Sequence, residues 1–209
     1  MFAVCAVAAM CLMSVGHSAP MVCEQLVQPL DQPDPHHFEG KWALVAGSLN
    51  NVPAMEALRL RDSVTMYFTN SSNPSSLSYT QVNRFGDLCQ HRRYNISVQE
   101  SSFSFDAQRF ELTESFLHTS CPDCLVMRWN VKSTRRSSMY LYLLSRRREV
   151  EQREMEEFRH QLRCYRLPAP VVMDPTRELC PEQPESRPTA AAQTEETTVG
   201  QSDMRPICM

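Results

Sequence analysis

Arg92 and Tyr94 stand two residues apart in the run Cys89-Gln90-His91-Arg92-Arg93-Tyr94-Asn95-Ile96-Ser97-Val98. In an extended strand, residues at that spacing share one face, here with Ile96 and Val98. Asn95 opens the sequon Asn95-Ile96-Ser97 and falls on the opposite face. A glycan does not fit inside a closed sheet, so glycosylation at Asn95 turns Arg92 and Tyr94 inward. A guanidinium and a phenol facing an apolar interior would anchor a polar head group, a phosphate above all. The competing reading is an ordinary exposed strand arginine.

Cys121-Pro122-Asp123-Cys124 has the spacing of a redox pair or of half a zinc site. A thioredoxin-like centre needs a βαβ setting, and a zinc site needs a second ligand pair. The sequence offers neither, so a structural disulfide is the better reading. His36-His37 lie in a proline-rich stretch and read as solvated. No metal and no cofactor is expected. There is no glycine-rich phosphate loop and no Gly-x-Ser-x-Gly elbow, which argues against an enzyme.

The elements that would position these residues are mostly strands. After Pro29, Pro33 and Pro35, the segment Gly40-Lys41-Trp42 opens an apolar run to Val45. Val64, Met66 and Phe68 alternate, and Leu77, Tyr79 and Gln81 continue the pattern until Phe85-Gly86-Asp87 breaks it. Tyr94 to Val98, Phe103 with Phe105, Leu125 to Val131 and Met139 to Leu144 follow, while Phe110 to His118 is mixed. These amount to about eight short strands with turn signals between them, the pattern of an antiparallel sandwich or barrel. The period then changes. Met155, Phe158, Leu162 and Tyr165 recur at helical spacing, which predicts one amphipathic helix, roughly Glu149 to Arg163, ended by Pro168. The expected fold is all-β: an eight-stranded up-and-down antiparallel barrel with one C-terminal helix.

Composition sets the outer limits. Residues 1–19 read as a secretory leader, an apolar run from Phe2 to Met13 followed by small residues. If it is retained, it would tether the chain to a lipid surface. Residues 20–183 form the expected domain, about 160 residues and a normal size for one. Residues 184–209 read as a disordered tail, poor in large apolar side chains. Arg and Lys number 21 against 24 acidic residues, for a net charge of −3, so no nucleic-acid footprint is expected. The one basic run, Arg146-Arg147-Arg148, is followed by glutamates and reads as a solvated helix start. No apolar run is long enough to span a bilayer. Nine cysteines occur, and seven follow the leader: Cys23, Cys89, Cys121, Cys124, Cys164, Cys180 and Cys208. In a secreted chain they read as disulfides with one left over, Cys208 being the natural orphan. The sequons at Asn70 and Asn95 fit secretion as a glycoprotein.

Phe38-Glu39-Gly40-Lys41-Trp42 resembles the opening signature of the lipocalins, a Gly-x-Trp at the start of the first strand. Leu144-Ser145-Arg146 resembles their closing one, an arginine that lies against that tryptophan across the barrel floor. The acidic turn that the family carries near strands six and seven has no clear counterpart here. Within the family, Cys23 to Cys180 is most similar to the apolipoprotein M-like proteins, and more distantly to the α1-acid glycoprotein and toxin-binding plasma lipocalins. The resemblance implies the bridges Cys23–Cys164 and Cys89–Cys180. The family's third bridge would end near Glu154, so it is missing, and a local Cys121–Cys124 bridge can replace it.

The resemblance also implies a phospholipid site. Arg109 stands twelve residues before Cys121, at the offset of a family head-group arginine, and Arg92 with Tyr94 resembles a second head-group segment. Phe68, Phe103, Phe105 and Tyr142 would line the cavity. The expected function is that of a secreted, extracellular monomer carrying a small amphipathic lipid, a lysophospholipid such as sphingosine 1-phosphate, in association with lipoprotein particles. The alternatives are an α1-acid glycoprotein-like binder of drugs, steroids or toxins with an immunomodulatory role, and a plain interaction module that emerges without cargo.

Overall fold

A computed structural model describes residues 22–30, 35–70, 76–99, 102–107, 110–133 and 137–182. Within these, the side chains of 35, 70, 76–78, 94–99, 102–107, 110–112 and 133 are not described. Eight strands follow one another: β1 (Gly40–Leu49), β2 (Ser63–Asn70), β3 (Ser76–Phe85), β4 (Leu88–Gln99), β5 (Ser102–Ala107), β6 (Phe110–Leu117), β7 (Cys124–Ser133) and β8 (Ser137–Ser145). Each pairs antiparallel with the next, and β1 pairs with both β2 and β8, so the pairing returns to its start. This is the up-and-down barrel, and it leaves no free edge among its eight strands. A register shift between Leu44 and Ala46 bends β1. Its first half, Gly40 to Ala43, lies against β2. Its second half takes on a short ninth strand, β9 (Val171–Val172), at Ala46 and Gly47.

Alternation decides which side chains face inward. Val64, Met66 and Phe68 on β2 join Trp42, Leu44, Tyr79, Phe116, Met127, Trp129, Tyr140 and Tyr142 in one buried cluster. The opposite face buries Val45, Leu117, Val126, Leu141 and Leu143 against helix α4 (Gln152–Cys164). Met155, Phe158 and Leu162 form the apolar stripe of that helix. Burying a side chain the size of Phe158 contributes about 1.5–3 kcal/mol.

The helix starts later than Glu149 because its capping box uses Glu151 and Glu154. It ends before Pro168. Arg166 adopts φ 55°, and the N–H groups of Leu167 and Arg166 donate to the carbonyls of Leu162 and Arg163 at 2.9 and 3.0 Å. That is the Schellman closure, here with arginine at the left-handed position.

Three further short helices lie where strands or extended chain were expected. They are α1 (Cys23–Leu26), α2 (Pro35–Phe38) and α3 (Val52–Arg59). In α3 the Asn51 side chain accepts from the Ala54 N–H at 3.1 Å, and Pro53 occupies the first turn, where a missing N–H costs nothing. Leu58 of α3 packs over Gly47. A Cβ at 47 would lie 2.7 Å from the Tyr142 ring and 3.0 Å from Leu58, so only glycine lets β1, β8 and α3 close on one another there.

Candidate functional site

The floor of the barrel is built around one ring. The Arg146 guanidinium lies over Trp42 at 3.8 Å from the ring centroid, a cation–π contact. Its Nη1 donates to the Lys41 carbonyl at 3.0 Å, and its Nη2 to the Glu39 and His37 carbonyls at 2.6 and 3.3 Å. The indole N–H donates to the Phe38 carbonyl at 2.7 Å. Phe38 in turn stacks on Phe116, with centroids 4.2 Å apart. Gly40 has φ 96°, and a Cβ there would come within 2.9 Å of Arg146 Nη1, so the sharp entry into β1 needs glycine twice over.

Arg146 and Arg147 are exposed, as a solvated run should be, but the run lies before the helix rather than at its start, and its side chains are engaged. Arg147 bridges Asp123 at 2.6 Å and the buried Glu154 at 3.0 Å. Arg148 donates to the Asp174 carbonyl at 3.4 Å. The run precedes the helix and ties three segments together at the barrel's end.

Inside, Phe68 and Tyr142 belong to the buried cluster. Burial raises the Tyr142 phenol, and the charge of Arg61 opposes that shift. Arg92 is half-buried and pairs in register with the buried Gln81. Tyr79 donates to Gln81 at 2.8 Å, and Gln81 donates to Asn83 at 2.7 Å, which makes a polar ladder along the inward face of β3. Tyr94 is the register partner of Tyr79, Phe103 that of Glu114, and Phe105 that of Leu112. The side chains of these three site residues lie outside the description, and Arg109 lies outside the described residues altogether. Asn95 pairs with Ser78 and Asn70 with Leu77, again by backbone register only.

Three disulfides hold the frame. Cys23 joins Cys164, Cys89 joins Cys180, and Cys121 joins Cys124. Cys121, Cys124 and Glu154 form the one group of potential metal ligands among the described residues. Its two sulfurs are bonded to each other, which leaves no thiolate pair for a cation.

Sequence reading missed Glu114. It sits on the inward face of β6, 1 % exposed, with neither carboxyl oxygen hydrogen-bonded. Desolvation pushes its pKa well above the ordinary value of 4.5. The folded state therefore holds a proton that the unfolded chain releases. Stability is expected to fall as pH rises from about 4.5 through the raised folded value, because in that window the unfolded state binds fewer protons. Urea titrations across that range should show the slope flattened in Glu114→Gln relative to the native chain. An unchanged slope would mean that the carboxyl is not protonated in the fold.

Comparisons with known proteins agree with this architecture. A family model described as "ApoM domain" matches residues 19–182. The solution structure of lipocalin 12 from rat epididymis superposes with a TM-score of 0.65 at 16 % identity, over 74 % of this chain and 93 % of that one. The siderocalin Ex-FABP, described by its title as having dual ligand specificities, gives a TM-score of 0.59 at 18 % identity, over 73 % and 99 %. At those identities the likeness is one of fold. No curated protein matches it by sequence. With the family match spanning most of the chain and a lipocalin barrel closed by Trp42 and Arg146, this chain belongs to the ApoM domain family of lipocalins.

Proposed function

We propose that the protein is a secreted carrier of a small amphipathic lipid, with the head group held by Arg92 and Arg109. Membership of a family of small-ligand barrels supports the carrier reading. The observation that carries the head-group reading is the place of Arg92. It is half-buried and faces Gln81 across the β3–β4 ladder, beside the middle member of the Tyr79–Gln81–Asn83 chain. A guanidinium there meets a phosphate with charge-assisted, bidentate geometry. A lysophospholipid such as sphingosine 1-phosphate fits that chemistry, with its alkyl chain along Phe68, Phe103, Phe105 and Tyr142. The leader at 1–19, the glycans at Asn70 and Asn95, the tail at 184–209 and a place on lipoprotein particles belong to the same proposal.

Titration of sphingosine 1-phosphate against the native chain and an Arg92→Ala, Arg109→Ala double variant tests it. Each charge-assisted bond lost costs about 1.5–3 kcal/mol, and the double variant loses one from each arginine, so affinity should drop roughly a hundredfold to ten-thousandfold. Equal affinities would overturn the head-group assignment.

A further inference from the structure

Among the described polar side chains on the inward face of the barrel, those of β3 satisfy one another, and Glu114 on β6 does not share in that network. Tyr79, Gln81 and Asn83 are hydrogen-bonded in a row. Glu114 is as deeply buried as any of them, at 1 % exposure, yet both of its oxygens lack a partner. Leaving such a group unpaired is costly for the fold, and an apolar residue at 114 would remove the cost. It would also match the buried Phe116 two residues on.

The position is central. Glu114 is the backbone register partner of residue 103 of β5 on one side and of Trp129 of β7 on the other, and the same rung continues to Tyr140 of β8. Trp129 also lies 5.9 Å from Tyr79, ring to ring. A carboxyl group with both oxygens unpaired thus sits midway along an aromatic, water-poor wall, where a donor brought to its carbonyl oxygen by a guest would meet little competition from water.

We infer that Glu114 is a second polar anchor of the barrel, its carbonyl oxygen accepting a hydrogen bond from an O–H or N–H group of an otherwise apolar guest. The guest class is a long-chain alcohol or amine, or a lipid that carries such a group along its chain. This rests on the barrel holding a guest, as proposed above, but not on the head-group role of Arg92.

A matched set of probes tests it: 1-dodecanol, dodecylamine and dodecyl methyl ether. The first two carry a donor and can satisfy the carbonyl oxygen, whereas the ether can accept from the carboxyl O–H but leaves the carbonyl oxygen unpaired. The full chain with its disulfides intact is used, and tryptophan fluorescence reads binding, because Trp129 is the register partner of Glu114. The alcohol or the amine should bind at least about tenfold more tightly than the ether, the effect of satisfying one buried polar group. In Glu114→Leu that preference should shrink to within about twofold, while the ether binds no worse. Glu114→Gln keeps an acceptor and should keep part of the preference.

The comparison within the native chain needs no variant to fold. Equal binding of all three probes, binding of none, or a preference that survives Glu114→Leu would each overturn the inference. An Arg92→Ala chain separates the two readings: it should retain the donor preference whatever becomes of its affinity for phosphate.

Discussion

Replacing Trp42 with alanine is expected to lower stability by about 3–5 kcal/mol, the range for removing a fully buried large aromatic. Trp42 is 1 % exposed and central to the inward cluster. Its loss also leaves the Phe38 carbonyl without its indole donor and Arg146 without its ring. Arg146 would still hold three backbone carbonyls, so the chain should keep its course around the floor while the core above it empties. Chemical denaturation read by circular dichroism checks the figure. A loss below about 1 kcal/mol would mean that the floor repacks, and that the pair does not close the barrel as described. Arg146→Lys should cost less than Trp42→Ala, since the charge stays while the planar fork is lost.

The largest single effect should come from the bridge between Cys23 and Cys164. Its partners are 141 residues apart in sequence. In the chain-entropy model a loop of that size restrains the unfolded chain by about 5 kcal/mol. The Cys89–Cys180 bridge, spanning 91 residues, contributes only slightly less on the same basis. Cys121–Cys124 spans three and should contribute about 2 kcal/mol. Paired alanine variants measured by urea denaturation should reproduce that order. If the Cys121→Ala, Cys124→Ala pair costs as much as the long bridge, loop entropy is not what these disulfides supply. In that case the contacts of Arg147 with Cys121, Asp123 and Glu154 would carry the difference.

Much of the barrel is legible in local patterns, and the exceptions have physical causes. Val64, Met66 and Phe68 announce β2 because one face of that strand carries apolar side chains into the core while the other carries Ser63, Thr65 and Tyr67. Phe110 to His118 reads as mixed because Glu114 occupies a slot on the inward face where alternation calls for an apolar residue. The residue that blurs the strand is the same one that singles out the interior. Helix α3 escapes detection because Val52 suggests a strand and Pro53 suggests a loop. The cap at Asn51 and the proline in the first turn were the signals available.

Other features have no local signature at all. Trp42 and Arg146 stand at the two ends of the strand sequence and meet only where β1 pairs with β8; periodicity cannot pair them, and the family signature does. Arg147 looks like a surface charge until Asp123 and Glu154, from two other segments, are placed beside it. Within the site, Arg92 could be assigned a face from period two and a neighbouring sequon. Glu114 could be found only once its neighbours on adjacent strands were known.

The two long disulfides also determine how the molecule answers a mechanical load. Tension applied between residues 22 and 182 passes from Cys23 straight across to Cys164, then along the segment leading to Cys180. Every strand from β1 to β8 lies in the covalent loop between Cys23 and Cys164, and the pull reaches it only through the non-covalent contacts of the 164–180 segment, chiefly the pairing of β9 with β1. Shear that drags on these two points therefore meets the short β9–β1 pairing before any pairing among β1 to β8 while the bridges are intact. A cargo inside is shielded from stretching of its carrier until a reductant cuts the first link.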